Sequence, residues 1–180
     1  MTHFSGFFST GSWSEGWFEY PVKVHPHHTD YAGMVWHGTY LTWMEEARVE
    51  ALRSLGIDYA DLVTWGCDLL VMEMNLRYRQ AVRMGATILV RVKMRDLQGV
   101  RIHWDYELCA YEPVTTDPLK TEPLIDDRLP EDRLPLYPTF PNGFVHLTAV
   151  ITLVAVDRAK GKIMRKLPPA VATALDKLQG

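Results

Sequence analysis

The hydrophobic period of this chain changes at Cys67, and that change restricts the possible folds more than any other feature. Upstream, from Gly38 to Leu55, the residues Leu41, Met44, Ala47, Arg48, Ala51, Leu52 and Leu55 recur at three- and four-residue intervals, while Thr39, Thr42, Glu46, Glu50 and Arg53 fall opposite. That spacing predicts a helix buried along one side. Downstream, from Cys67 to Arg79, Leu70, Met72, Met74, Leu76 and Tyr78 share one parity, and Glu73, Asn75, Arg77 and Arg79 share the other. Ile88, Val90, Val92 and Met94 then alternate with Arg91, Lys93 and Arg95, and Ile102, Trp104, Tyr106 and Leu108 alternate with Arg101, His103, Asp105 and Glu107. Alternation of this kind predicts strands with one apolar face. A long helix followed by several such strands predicts an α+β domain whose antiparallel sheet wraps the helix.

The remaining elements follow from local signals. Trp17 to His25 alternates as a first strand, behind an irregular Gly/Ser/Thr-rich lead-in at 1–15. Gly56 ends the long helix, and Asp58 caps a short second helix that runs to Trp65. Gln98-Gly99 is a hairpin turn. Phe144 to Val156 is apolar on both faces, which predicts a central strand. Arg158 to Lys166 is a basic turn, and Pro168-Pro169 leads into a final helix over 170–178. Between Glu112 and Asn142 the periodicity fails, and seven of the eleven prolines fall there. This reads as an inserted loop of about thirty residues, a surface excursion, a lid or an arm onto another subunit.

With 180 residues, 47% of them hydrophobic, the chain supports one core and one domain. A net charge of −3 with no basic stripe gives no case for nucleic acid. Cys67 and Cys109 form no CxxC or metal-ligand spacing, so neither a disulfide framework nor structural zinc is expected, and a reducing cytoplasm fits. No window is apolar for the ~18 residues that a membrane span requires, and the aromatic N-terminus lacks the order of a signal peptide.

Chemistry concentrates between His25 and Arg48, in HPHHTDYAGMVWHGTYLTWMEEAR. Asp30 precedes Ala32-Gly33, a turn that admits close approach to the backbone, and the loop runs directly into the long helix. A helix start carries unpaired N–H groups and favours negative charge, so a carboxylate and an oxyanion site would lie side by side. Asp before a glycine turn is also a common turn-capping residue, and spacing alone does not separate the two roles.

The order Asp30, Gly33, Val35, His37, Tyr40, Leu41, followed by Glu45, Ala47 and Arg48 on the helix, resembles the hotdog-fold acyl-CoA thioesterases of the 4-hydroxybenzoyl-CoA thioesterase type. The resemblance covers about 20–111 and 144–167, specifically in the helix region and loosely in the sheet. It implies hydrolysis of an acyl-CoA with Asp30 as the catalytic carboxylate and with backbone N–H groups around His37 and Gly38 polarising the thioester carbonyl. It implies no metal or redox cofactor, coenzyme A being part of the substrate, and a homodimer or homotetramer with sites across the subunit interface. In a related branch a helix glutamate is the acid, which makes Glu45 or Glu46 the alternative. An enoyl-thioester hydratase using Asp30 and His37, and a non-catalytic acyl-CoA-binding module, are the competing readings.

Other residues extend these expectations. Arg77, Arg79, Arg83 and Arg91, with Lys162, Arg165 and Lys166, are the cations placed to meet coenzyme A phosphates, although each alone reads as a solvated charge. Tyr31, Trp36, Tyr40 and Trp43 suggest an aromatic acyl group, though such residues more often fill a core. His25, His27 and His28 crowd one segment, but on extended backbone their side chains would diverge, so a shared metal site is not expected. Arg48 falls within the apolar stripe, where an unpaired charge costs several kcal/mol. Glu45, three residues earlier, is its expected partner.

Overall fold

The computed structural model describes residues 11–111 and 142–178. The expected insertion at 112–142 lies outside these residues except for Asn142, as does most of the N-terminal lead-in. The elements are β1 (Ser12–Ser14), β2 (Trp17–Lys23), α1 (His37–Ser54), α2 (Tyr59–Thr64), β3 (Cys67–Tyr78), β4 (Thr87–Gln98), β5 (Arg101–Ala110), β6 (Val145–Asp157), β7 (Lys162–Ile163) and α3 (Pro169–Asp176). All strands join one antiparallel sheet in the order β1-β2-β4-β5-β6-β3, with β7 pairing β6. This is the α+β architecture that the change of period predicts, one antiparallel sheet with one long helix, and the hotdog fold that the family resemblance implies. Among the described residues no helix is long and apolar enough to cross a membrane.

Helix α1 packs against β2 and β4. Its Tyr40, Trp43, Met44, Ala47, Arg48, Ala51 and Leu52 are buried, which is the predicted stripe with Tyr40 and Trp43 added and with Leu41 and Leu55 only partly buried at its edges. It stops because Gly56 N–H donates to the Arg53 carbonyl at 2.9 Å and Ile57 N–H to the Leu52 carbonyl at 3.0 Å, a paired closure that satisfies two terminal acceptors. The buried Ile57 completes it with an apolar contact. Asp58 then starts α2, accepting from Ala60 N–H at 3.1 Å while Asp61 accepts from Asp58 N–H at 3.1 Å.

Strands β4 and β5 bury Ile88, Val90, Val92, Met94, Ile102, Trp104, Tyr106 and Leu108, the predicted parity. The doubly apolar strand β6 is flanked on both sides, one position in from the edge. Strand β3 departs from expectation. Only its first turn of alternation, Cys67 and Leu69, is buried, and a register shift follows between Val71 and Glu73. Leu70, Met72, Met74 and Tyr78 are 45–50% exposed. Met74 shares its row with the buried Trp104 and Ile151, so its face is the apolar one, but β3 is the sheet edge and lies beyond the cover of α1. Strands β1 and β7 also lie where an irregular lead-in and a basic turn were expected.

Candidate active site at the start of the central helix

The segment before α1 is a tight hairpin whose tip carries Asp30. Pro26–His28 forms one 3-10 turn, Thr29 pairs with Val35, and Trp36 N–H donates to the His28 carbonyl at 3.0 Å. Thr39 Oγ1 on the first turn of α1 donates to the same carbonyl at 3.1 Å, so hairpin and helix are tied at one atom. At the tip, Asp30 N–H donates to the Met34 carbonyl at 2.8 Å, and the Asp30 carbonyl accepts from Gly33 N–H at 3.0 Å. The tip needs Gly33 at φ +72°, a conformation that side chains with a Cβ rarely adopt.

Within that tip the Asp30 carboxylate is half engaged. Its Oδ1 accepts from Ala32 N–H at 2.9 Å and Met34 N–H at 3.1 Å, while Oδ2 has no partner among the described residues. The turn-capping role and an available carboxylate oxygen therefore coexist in one side chain, with the first fixing the direction of the second. The hairpin is held from its other side by the segment after β3. Val35 N–H donates to the Val82 carbonyl at 2.9 Å, Met34 pairs with Arg83, and Met84 N–H donates to the Gly33 carbonyl at 2.9 Å. Val82 N–H in turn donates to the Tyr40 hydroxyl at 3.1 Å, and burial raises the Tyr40 phenol above its ordinary range.

The helix itself begins without a cap. Trp36 stands at the capping position and offers no side-chain acceptor. Thr39 N–H folds back to the Trp36 carbonyl at 2.9 Å, leaving the N–H groups of His37 and Gly38 without a partner among the described residues. This was legible as the lack of Ser, Thr, Asp or Asn immediately before His37. The His37 imidazole is exposed and rests against the Trp36 ring, with centroids 4.6 Å apart. The Tyr78 hydroxyl donates to the His37 carbonyl at 3.1 Å, a contact across 41 residues that no local signal announces.

The predicted cations separate. Arg83 lies alongside the Asp30 hairpin through its backbone pairing with Met34. Arg77 and Arg91 share a row of the sheet face turned away from α1. There Arg91 is paired with Glu107 at 2.8 Å and Glu19 at 3.3 Å and lies over the Trp17 ring. Arg77 lines a groove of about 360 Å³ with Asn75, Arg95 and Asp105. Arg79 is exposed just past the end of β3, and Lys162, Arg165 and Lys166 are likewise exposed.

Three expectations need correction. The His25–His28 segment is a 3-10 turn rather than extended, and its rings cluster, with His27 and His28 4.0 Å apart and His28 edge-on to Trp43 at 5.1 Å. Among the described residues no group of three or more His, Cys, Asp or Glu could hold a metal ion. Arg48 is buried as expected but donates to the Tyr106 hydroxyl at 2.8 Å, while Glu45 is exposed. The four aromatics divide: Tyr40 and Trp43 belong to the core at 3% and 2% exposure, whereas Tyr31 and Trp36 face solvent.

Comparison with known proteins places this arrangement among relatives. Residues 32–116 match the model of the thioesterase superfamily. A putative esterase of Synechocystis is 47% identical over 92% of this chain and 82% of its own length. A putative acyl-CoA thioesterase of Bacillus subtilis is 30% identical over 51% of this chain and 65% of its own length. A DHNA-CoA thioesterase from Staphylococcus aureus superposes with a TM-score of 0.68 at 20% identity, covering 91% of each chain.

Proposed function

The chain belongs to the thioesterase superfamily and is a thioester hydrolase, and from that premise we propose that it cleaves acyl-CoA thioesters with Asp30 as the reacting carboxylate. The observation that carries this reading is the division of labour within Asp30. Two backbone N–H groups fix Oδ1, and among the described residues Oδ2 is left unengaged on a hairpin tied to the uncapped start of α1. The thioester carbonyl oxygen accepts from the His37 and Gly38 N–H groups, which sit at the positive end of the helix dipole and need no reorganisation as charge develops. Oδ2 then either attacks the carbonyl carbon, expelling the coenzyme A thiolate and leaving a mixed anhydride for water to open, or takes a proton from an attacking water. No metal or redox cofactor takes part in either route.

Arg83, beside the hairpin, is the arginine best placed for a phosphate of coenzyme A, with Arg79 near it in sequence, whereas Arg91 is engaged by Glu107 and Glu19. The exposed apolar row on edge strand β3 supports assembly into at least a homodimer. The buried free thiols of Cys67 and Cys109 fit a reducing, cytoplasmic setting.

Asp30→Asn tests the reading, because the amide oxygen can still accept from Ala32 and Met34 and so preserve the hairpin. Thiol release from a panel of acyl-CoAs is expected to fall at least about 100-fold. Activity within tenfold of wild type would remove Asp30 from the reaction.

A further inference from the structure

Trp36 occupies a position that neither the fold nor the hydrolytic step requires. It cannot cap α1, and its ring is not spent on the core, being 54% exposed. An indole on an open surface would ordinarily be free to sample several rotamers. Here it is seated. A Cβ built on Gly38 would lie 1.9 Å from Trp36 Cζ3 and 2.3 Å from Cη2, so the six-membered edge of the ring rests on the Gly38 α-carbon and only glycine leaves room for it. The His37 ring supports it from one side, tilted by 46°. Tyr78, itself 50% exposed, adds another aromatic surface at the same end of the helix through its bond to the His37 carbonyl.

The seat of this ring is the residue whose N–H is one of the two donors without a partner among the described residues. A thioester carbonyl held by those donors brings the first atoms of its acyl group against the indole. A ring joined directly to the carbonyl can lie against the exposed π-surface, whereas a saturated chain gains only contact area and must order its torsions. We propose that Trp36 is the specificity-determining residue of this site and selects acyl groups in which an aromatic ring is attached to the thioester carbonyl. The inference rests on the acyl-CoA reading above and deepens it by naming the acyl class and the residue that chooses it.

Binding of the non-hydrolysable thioethers S-benzyl-CoA and S-hexyl-CoA, measured by calorimetry, tests the assignment without requiring turnover. Wild type is expected to favour the benzyl compound, and Trp36→Leu to lower the benzyl-to-hexyl affinity ratio at least about fivefold. Trp36→Phe, which keeps a π-face, should retain the ratio within about twofold, and Trp36→Met serves if the leucine variant fails to fold. A smaller fall in the leucine or methionine variant, an equal fall in the phenylalanine variant, or no binding of either compound overturns the proposal. The kcat/KM ratio for benzoyl-CoA over hexanoyl-CoA should move in parallel. Absence of thiol release from both thioesters, with the affinity ratio still dependent on Trp36, would instead sink the hydrolase chemistry and leave the aromatic platform standing.

Discussion

Arg48 shows how a single side chain can be placed correctly by its spacing and yet be paired incorrectly. Helical geometry puts residue 48 in the apolar stripe, and the guanidinium is 3% exposed. Spacing along α1 also nominates Glu45, but a carboxylate three residues away can reach solvent at lower cost than it can follow arginine into the core. The partner comes from the sheet, as the Tyr106 hydroxyl on β5, with Tyr59 acting on the same guanidinium. Burial pushes the Tyr106 phenol up to about 12, against the opposing pull of Arg48, so at neutral pH it is a dipole facing a cation. Arg48 Nε is buried without a hydrogen-bond partner among the described residues, which makes the remaining contacts more consequential. Tyr106→Phe, the loss of one oxygen, should therefore cost roughly 2–4 kcal/mol of unfolding free energy, because it strips a buried charge of its acceptor. Arg48→Met in the same background should recover most of that loss, since charge and acceptor then leave together. Urea denaturation of the two single variants and the double variant measures the coupling. Simple additivity of the two changes would show that the hydroxyl does not support the cation.

At the scale of elements, the 3-10 turn ahead of the active-site hairpin depends on one unprotonated ring atom. His28 Nδ1 accepts the His25 N–H at 3.0 Å, and a protonated Nδ1 cannot. Burial, then the neighbouring His27 and His25, hold the His28 pKa below its ordinary value. A histidine lowered in this way binds fewer protons folded than unfolded, so its stabilising contribution is full above the ordinary value of about 6.5 and is lost as pH falls from there toward the folded pKa. Amide protection at Asp30 and Trp36 should thus decline between about pH 7 and pH 5.5. His28→Asn, whose Oδ1 can accept the same N–H without titrating, should flatten that decline. His146, lowered by burial against the opposing effect of the Gln80 carbonyl, leaves a residual slope of the same sign. Equal slopes in wild type and variant would exclude His28 as the titrating group. The turn also marks the boundary of what the sequence discloses. Helix α1 was legible to within a residue at each end because a 3.6-residue period persisted over several turns, and β4 and β5 were legible because strict alternation did. Strands β1 and β7, of three and two residues, are too short to express a period. Alternation on β3 identified the apolar face from Met74 to Tyr78 but put Leu70 on it wrongly, because the bulge between Val71 and Glu73 exchanges the faces, and it could not show whether anything covers that face, since that depends on where the strand lies in the sheet. The turn after Asp30 was legible from Ala32-Gly33, though not the hairpin pairing of Thr29 with Val35 on either side of it. Its clamping by 82–84 and the Tyr78 bond to His37 were not, because both are long-range.

At the scale of the whole molecule, the described residues leave one feature unanswered by their own packing, the outer edge formed by β3. Among those residues β3 pairs with β6 alone, and Leu70, Val71, Met72 and Met74 are each at least 45% exposed. A long apolar edge invites pairing and is ordinarily blunted by charge, proline or a covering element. Asp68, Glu73 and Arg77 are the charges on this strand, and they point to the opposite face, in rows with Val156, Thr152 and Thr148. An antiparallel strand can pair with a second copy of itself about a two-fold axis, which satisfies both edges at once and buries both apolar rows. The chain is therefore expected to scatter light as a species of at least twice its own mass at micromolar concentration. The double variant Val71→Lys and Met74→Lys places two charges in the exposed row, opposite Leu153 and Ile151 of β6, and should convert that species to a folded monomer. If the hydrolytic site is shared between subunits, thiol release should fall with dissociation although Asp30 is unaltered. A wild-type chain that is monomeric across this concentration range, or a double variant that dissociates with full activity, would confine the site to one chain.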